Sequence, residues 1–134
     1  MLQLPVRDLS SYTVLVVDDV PINLVLVQKM LQRFNFKVVT AANGVEAMEA
    51  VDTHHPQLIL LDLLMPVMDG FEVLRRIRAN PATADTRVVI LSALNSTDDI
   101  VRGYQMGAND FITKPIILEK LLNSVATQLE LVKQ

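Results

Sequence analysis

Short apolar runs alternate along this chain with stretches in which apolar residues recur every three or four positions. TVLVV at 13–17 is apolar after its Thr, and QLILL at 57–61 and RVVIL at 87–91 are apolar after one polar residue. Runs that are apolar at consecutive positions read as strands buried on both faces. KVVTA at 37–41 and DFIT at 110–113 are weaker versions, as expected nearer a sheet edge. Between the runs, residues 22–34 place Leu24, Val27, Leu31 and Phe34 on one helical stripe. Residues 44–53 place Val45, Met48 and Val51 at helical spacings behind a potential N-cap, Asn43. Phe71, Leu74 and Ile77 repeat through 70–79. Residues 96–106 open on Ser96 with Asp98 and Asp99 in the first turn, which suits the helix dipole. Leu118, Leu121, Leu122, Val125 and Leu129 pattern 117–132 as a last helix. The strict alternation of strand and helix predicts an α/β fold, a doubly wound five-stranded parallel sheet with helices on both faces. Residues 1–12 carry no pattern and read as an N-terminal arm or linker, leaving 13–132 as one domain.

Composition narrows the class. A chain of 134 residues has room for one domain, and 51% hydrophobic residues supply a core. Twelve basic against fifteen acidic residues leave a net charge of −3 with no basic run, a poor basis for direct nucleic-acid binding. The absence of Cys excludes a disulfide framework, a thiolate metal site and a Cys nucleophile. Pro5, Arg7 and Asp8 interrupt the start where a secretory signal needs an apolar run. The longest aliphatic runs fall far short of a ~20-residue membrane span. These features lead to the expectation of a cytoplasmic domain that does not contact membrane.

In open α/β sheets, sites form outside the carboxyl ends of the strands. Asp18 and Asp19 follow the first apolar run, Asp62 follows QLILL, Ser92 follows RVVIL, and Lys114 follows DFIT. An Asp after a strand is commonly only an N-cap, and a lone Ser or Lys there says little. Together they are harder to dismiss, because three converging carboxylates raise one another's pKa unless a cation neutralises them. Mg²⁺, a hard ion content with few carboxylates and several waters, is the natural partner. A divalent ion, an ammonium and a hydroxyl around one carboxylate are what phosphoryl transfer needs. Asp62 ends a central strand and is the candidate nucleophile, with Asp18 and Asp19 beside it as metal holders.

The segments VVDD (16–19), LLDLLMPVMDG (60–70), LSA (91–93) and GANDFITKP (107–115) resemble, in order and spacing, the response-regulator receiver domains of two-component signalling. The resemblance covers residues 13–132. It implies the flavodoxin-like strand order 2-1-3-4-5 of the chemotaxis member. It also implies Asp62 as phosphoacceptor, Asp19 as direct Mg²⁺ ligand, Asp18 on a metal-bound water, and the Leu64 carbonyl completing the metal shell. Lys114 would hold the phosphoryl group, Ser92 would bond it after transfer, and Phe111 occupies the aromatic switch position. The peptide before Pro115 is expected to be cis. Leu64 and Leu94 would flank the path of a hydrolysing water.

A second apolar stripe, Ile22, Leu26 and Met30, lies about 120° round the first helix at ~100° per residue. It reads as a docking surface, and the resemblance implies a histidine kinase or histidine phosphotransfer protein as its partner; a homodimer is also compatible. Two other functions compete. A haloacid-dehalogenase-type phosphatase would want an acid two residues after the nucleophile, where this chain has Leu64. A pseudo-receiver would bind without phosphorylation, which the full acidic set and Lys114 argue against. His54 and His55 fall in a helix-to-strand turn away from the acids, so they read as surface residues.

Overall fold

A computed structural model describes residues 9–131; residues 1–8 of the expected arm and residue 132 of the expected domain lie outside them. The elements are β1 (Thr13–Val17), α1 (Pro21–Gln32), β2 (Lys37–Ala41), α2 (Gly44–His54), β3 (Leu58–Leu61), α3 (Gly70–Ala79), β4 (Arg87–Ser92), α4 (Thr97–Gln105), β5 (Asp110–Thr113) and α5 (Leu118–Gln128). All four strand pairings are parallel, and the order is β2-β1-β3-β4-β5. Alternate strand residues point to opposite faces, so each apolar run feeds two cores. Leu15, Val17, Ile59, Leu61, Val88 and Ile90 pack against α2 and α3. Val14, Val16, Leu58, Leu60, Val89 and Leu91 pack against α1 and α5. Burial is complete along β1 and β3 and partial along the edge strands β2 and β5, as the weaker runs predict.

The caps follow the sequence signals. Asn43 accepts from the Glu46 N–H, Asp69 from that of Glu72, and Ser96 from that of Asp99. Four expectations need correction. Val45 is exposed, because α2 packs on the sheet through the small residues Gly44, Ala47 and Ala50 together with Val51. Leu24, on the stripe that should face the sheet with Val27 and Leu31, is only half-buried beside them. The last helix stops at Gln128 instead of reaching 132. Glu130 there turns left-handed (φ 56), the Glu130 N–H donates to the Thr127 carbonyl, and the Leu131 N–H donates to that of Ala126. This is a Schellman closure with a Glu where Gly is usual, and it seats Leu131 in the core. Finally, Leu9, inside the expected arm, is 2% exposed and packs with Val14 and Leu58 on the α1–α5 side, so the packed body begins before residue 13.

Candidate phosphoacceptor site

The sheet ladder runs on past the strand ends and so fixes where the polar side chains begin. The Asp18 N–H donates to the Ala41 carbonyl (3.1 Å), the Asp62 N–H to Val17 (3.0 Å), and the Lys114 N–H to Ser92 (2.8 Å). Residues from four strands are thereby held at one edge. Behind Asp62 the chain doubles back through the 63–69 loop. The Gly70 N–H donates to the Leu63 carbonyl (3.0 Å), and a Cβ at Gly70 would run into the Asp62 carbonyl oxygen. Only glycine closes this loop so tightly.

Asp18, Asp19 and Asp62 each offer a carboxylate oxygen within 4.8 Å of the others, the one such acidic group among the described residues. Asp18 and Asp62 are buried, and Asp19 is the most open of the three. Lys114 donates to Asp18 Oδ2 at 2.7 Å and to Asp62 Oδ2 at 3.4 Å. Asp18 Oδ1 accepts from the Val20 N–H (2.9 Å), and Asp62 Oδ1 accepts from the Leu64 N–H (3.2 Å). Burial pushes the Asp62 carboxyl above its ordinary value. The Lys114 ammonium and the Leu64 N–H pull it back, while the Asp18 charge pushes it up again. Three carboxylates therefore face one ammonium. An acid trio of this oxygen-only chemistry suits a hard divalent cation, which would supply the missing positive charge.

Ser92 is fully buried, and its Oγ accepts from the Leu94 N–H (3.2 Å). Phe111 is half-buried with its ring against α4, where a Cβ on Gly103 would lie 3.2 Å from it. The Lys114–Pro115 peptide is cis, as expected. Leu64 is exposed and lines a cleft with Leu94, Asp99 and Arg102; the Arg102 guanidinium sits 3.9 Å over the Phe71 ring.

On α1 the two stripes separate. Val27 and Leu31 are 5% and 0% exposed, whereas Ile22 and Leu26 are 59% and 50% exposed beside the acids. Met30 is half-buried and leans on the α1–α5 core. Val20 and Val25 are also exposed here, a wider apolar surface than the stripe from sequence alone. Val20 is the N-cap residue ahead of α1, and Val25 stands three residues after Ile22, on the flank of the stripe.

Relatives carry the same fold. A probable cyclic di-GMP phosphodiesterase of Vibrio cholerae is 33% identical over 97% of this chain and 29% of its own length. Response regulator PleD of Caulobacter vibrioides is 41% identical over 79% of this chain and 23% of its own. The chain thus spans less than a third of the length of these curated relatives. Among solved structures, a response regulator from Chloroflexus aurantiacus superposes with TM-score 0.85 at 28% identity, covering 89% of this chain and 98% of that one. The receiver domain of a signal transduction histidine kinase from Syntrophus aciditrophicus gives 0.82 at 32% identity, covering 92% and 93%. With the response regulator receiver domain family model matching residues 14–126, this chain belongs to that family, whose domains act as phosphoacceptors in two-component signalling.

Proposed function

We propose that Asp62 takes a phosphoryl group from a phosphohistidine donor, a histidine kinase or histidine phosphotransfer protein, and that the domain signals by changing shape without turning over a substrate. The observation that supports this most directly is the buried Asp62 carboxylate, 3.4 Å from the Lys114 ammonium inside an acid trio. In the transfer, the phosphorus–nitrogen bond of the donor breaks, a bond to an Asp62 oxygen forms, and the imidazole leaves with the electron pair. Mg²⁺, held by Asp19, Asp62, the Leu64 carbonyl and a water on Asp18, would supply positive charge to the equatorial oxygens. Lys114 exchanges its bond to Asp18 for one to the phosphoryl group. The Ser92 hydroxyl turns to donate to it, and Phe111 follows by repacking, since it has no hydroxyl of its own. Leu64 and Leu94 cannot orient a water by hydrogen bonding, so the acyl phosphate decays slowly.

Ile22, Leu26 and Met30 receive the donor, because an exposed apolar stripe beside a reactive site marks partner contact. We place the domain in the cytoplasm, working through protein partners, a second copy among them, without contacting nucleic acid or membrane itself. No helix among the described residues is long and apolar enough to cross a membrane. Acetyl phosphate with Mg²⁺ should add one phosphoryl group to the wild type and none to Asp62→Asn. Leu26→Ala should keep that reaction while slowing transfer from a phosphohistidine protein. Undiminished labelling of Asp62→Asn would overturn the assignment, and equal loss of both reactions in Leu26→Ala would overturn the docking stripe.

A further inference from the structure

A cavity of about 260 Å³ opens between α1 and the segment that follows β5. Val27, Met30, Leu91 and Ile116 supply its apolar wall, and Asp18, Asn23 and Lys114 supply its polar end. It lies on the α1 side of the acids, separate from the cleft that Leu64 and Leu94 line. We propose that this cavity binds a small organic cation, an apolar body carrying a primary ammonium that replaces Lys114 on Asp18.

Three observations select this occupant. Ligand sites of drug-sized molecules run from ~300 to 1,000 Å³, so the volume admits only a smaller, fragment-sized body. Its wall is aliphatic, which favours an apolar body over a sugar or nucleotide. Asp18 and Lys114 line the polar end, and the Asp19 and Asp62 carboxylates lie within 4.8 Å of Asp18 behind it, so the local field is net negative and favours a cation over an anion. Asp18 already shows what the head group must be. Its Oδ1 is taken by the Val20 N–H, while its Oδ2 accepts from a primary ammonium at 2.7 Å, and that ammonium sits on a flexible side chain able to leave. An incoming ammonium makes the same bond, with the Asn23 amide beside it as a further polar partner. Lys114, displaced, keeps its bond to Asp62. Two ammoniums then face the acid trio where one did before, so the occupant and a divalent ion there weaken each other's binding. Ligand binding thus becomes a brake on phosphorylation; this consequence, unlike the binding itself, rests on the phosphoacceptor reading above.

The probe is 2-phenylethylammonium, with 2-phenylethanol and 3-phenylpropanoate as neutral and anionic counterparts of similar shape. Two-dimensional amide NMR of the full chain should show saturable shifts at Asn23, Val27, Leu91 and Ile116 with the ammonium. The alcohol should bind at least about tenfold more weakly, and the carboxylate not at all. Adding the ammonium to saturation should raise the apparent Kd for Mg²⁺ severalfold, up to a plateau. Ile116→Phe, which fills the cavity, should remove probe binding and leave Mg²⁺ affinity unchanged. Val27→Leu is a milder filling change should the first disturb folding. Equal affinity for the alcohol, shifts scattered over the surface, a Mg²⁺ affinity unchanged at saturating probe, or binding that survives both filling variants would overturn the proposal. Failure of Mg²⁺ to bind the probe-free protein would instead overturn the phosphoacceptor reading, leaving the shifts to decide the cavity.

Discussion

The two ends of the sheet both take charge out of water, and they compensate it differently. At the amino-terminal end, the half-buried Arg78 guanidinium donates to the carbonyls of Gly107 (3.0 Å), Ala84 (3.1 Å) and Thr86 (2.6 Å) and to Asn109 Oδ1 (3.0 Å). The same Asn109 oxygen accepts from the Val88 N–H at 2.8 Å. One planar cation thereby ties the end of α3 to the loops entering β4 and β5, and its donors are largely spent within the protein. At the carboxyl-terminal end, three carboxylates cluster beside one ammonium, which bonds Asp18 and Asp62. Burial without full compensation is where a fold leaves room for an incoming charge. The first end is built to stay as it is, and the second is built to be completed from outside.

Removing the compensation at the amino-terminal end should have the largest effect. Arg78→Ala strands up to four acceptors, and denaturant unfolding should show a loss of about 2–5 kcal/mol. Its response to Mg²⁺ should be unchanged, because the two ends are independent; a lost response would break the contrast. At the carboxyl-terminal end, Mg²⁺ should stabilise the wild type by about 2.7 kcal/mol at a hundredfold excess over Kd, and Asp19→Ala should lose that gain. A Tm indifferent to Mg²⁺ would remove the reason for an acid trio. Without divalent ions, Asp62→Asn should be more stable than the wild type, on the order of 1 kcal/mol by calorimetry, because it deletes a poorly compensated buried charge. The opposite sign would mean that Lys114 alone balances the site.

The smallest effect belongs to an acid that is fully paired and partly open to water. Arg75 and Arg76 bond Glu72 and hold its carboxyl down to about 2, against an ordinary value of 4.5. A lowered carboxylate contributes stability above its unfolded value and loses it as pH falls through the folded one. The Tm advantage of wild type over Glu72→Gln should therefore be slight at neutral pH and close between pH 4.5 and about 2. It should also shrink with added salt.

The carboxyl-terminal end was legible in the sequence and the amino-terminal end was not. Asp18, Asp62, Ser92 and Lys114 each follow an apolar run directly, so locating the strands located the candidate site. Apolar periodicity likewise found α3 and the core stripe of α1. It failed where small residues do the packing, as with Val45 pointing outward while Ala47 and Ala50 face the sheet. It also ran through the end of α5, since a left-handed Glu130 carries no composition signal. Arg78 did leave a trace. It stands four residues after Leu74 and seven after Phe71, a charged residue on an inward helical stripe. Its partners are backbone carbonyls of distant loops, which no side-chain pattern encodes.

The ring of Phe111 rests where α4 has a glycine, and this gives position 103 an evolutionary meaning. Alanine there would favour the helix by up to about 1 kcal/mol. The same methyl would press on the Phe111 ring at 3.2 Å and on the Ile90 methyl at 2.9 Å, the free end of a side chain that can yield. A lineage acquiring this one substitution would gain helix strength and lose the ring's resting place together. On the switching role proposed for Phe111, the helix gain and the lost packing offset each other in stability while only the second bears on the switch, so the change would show first in signalling.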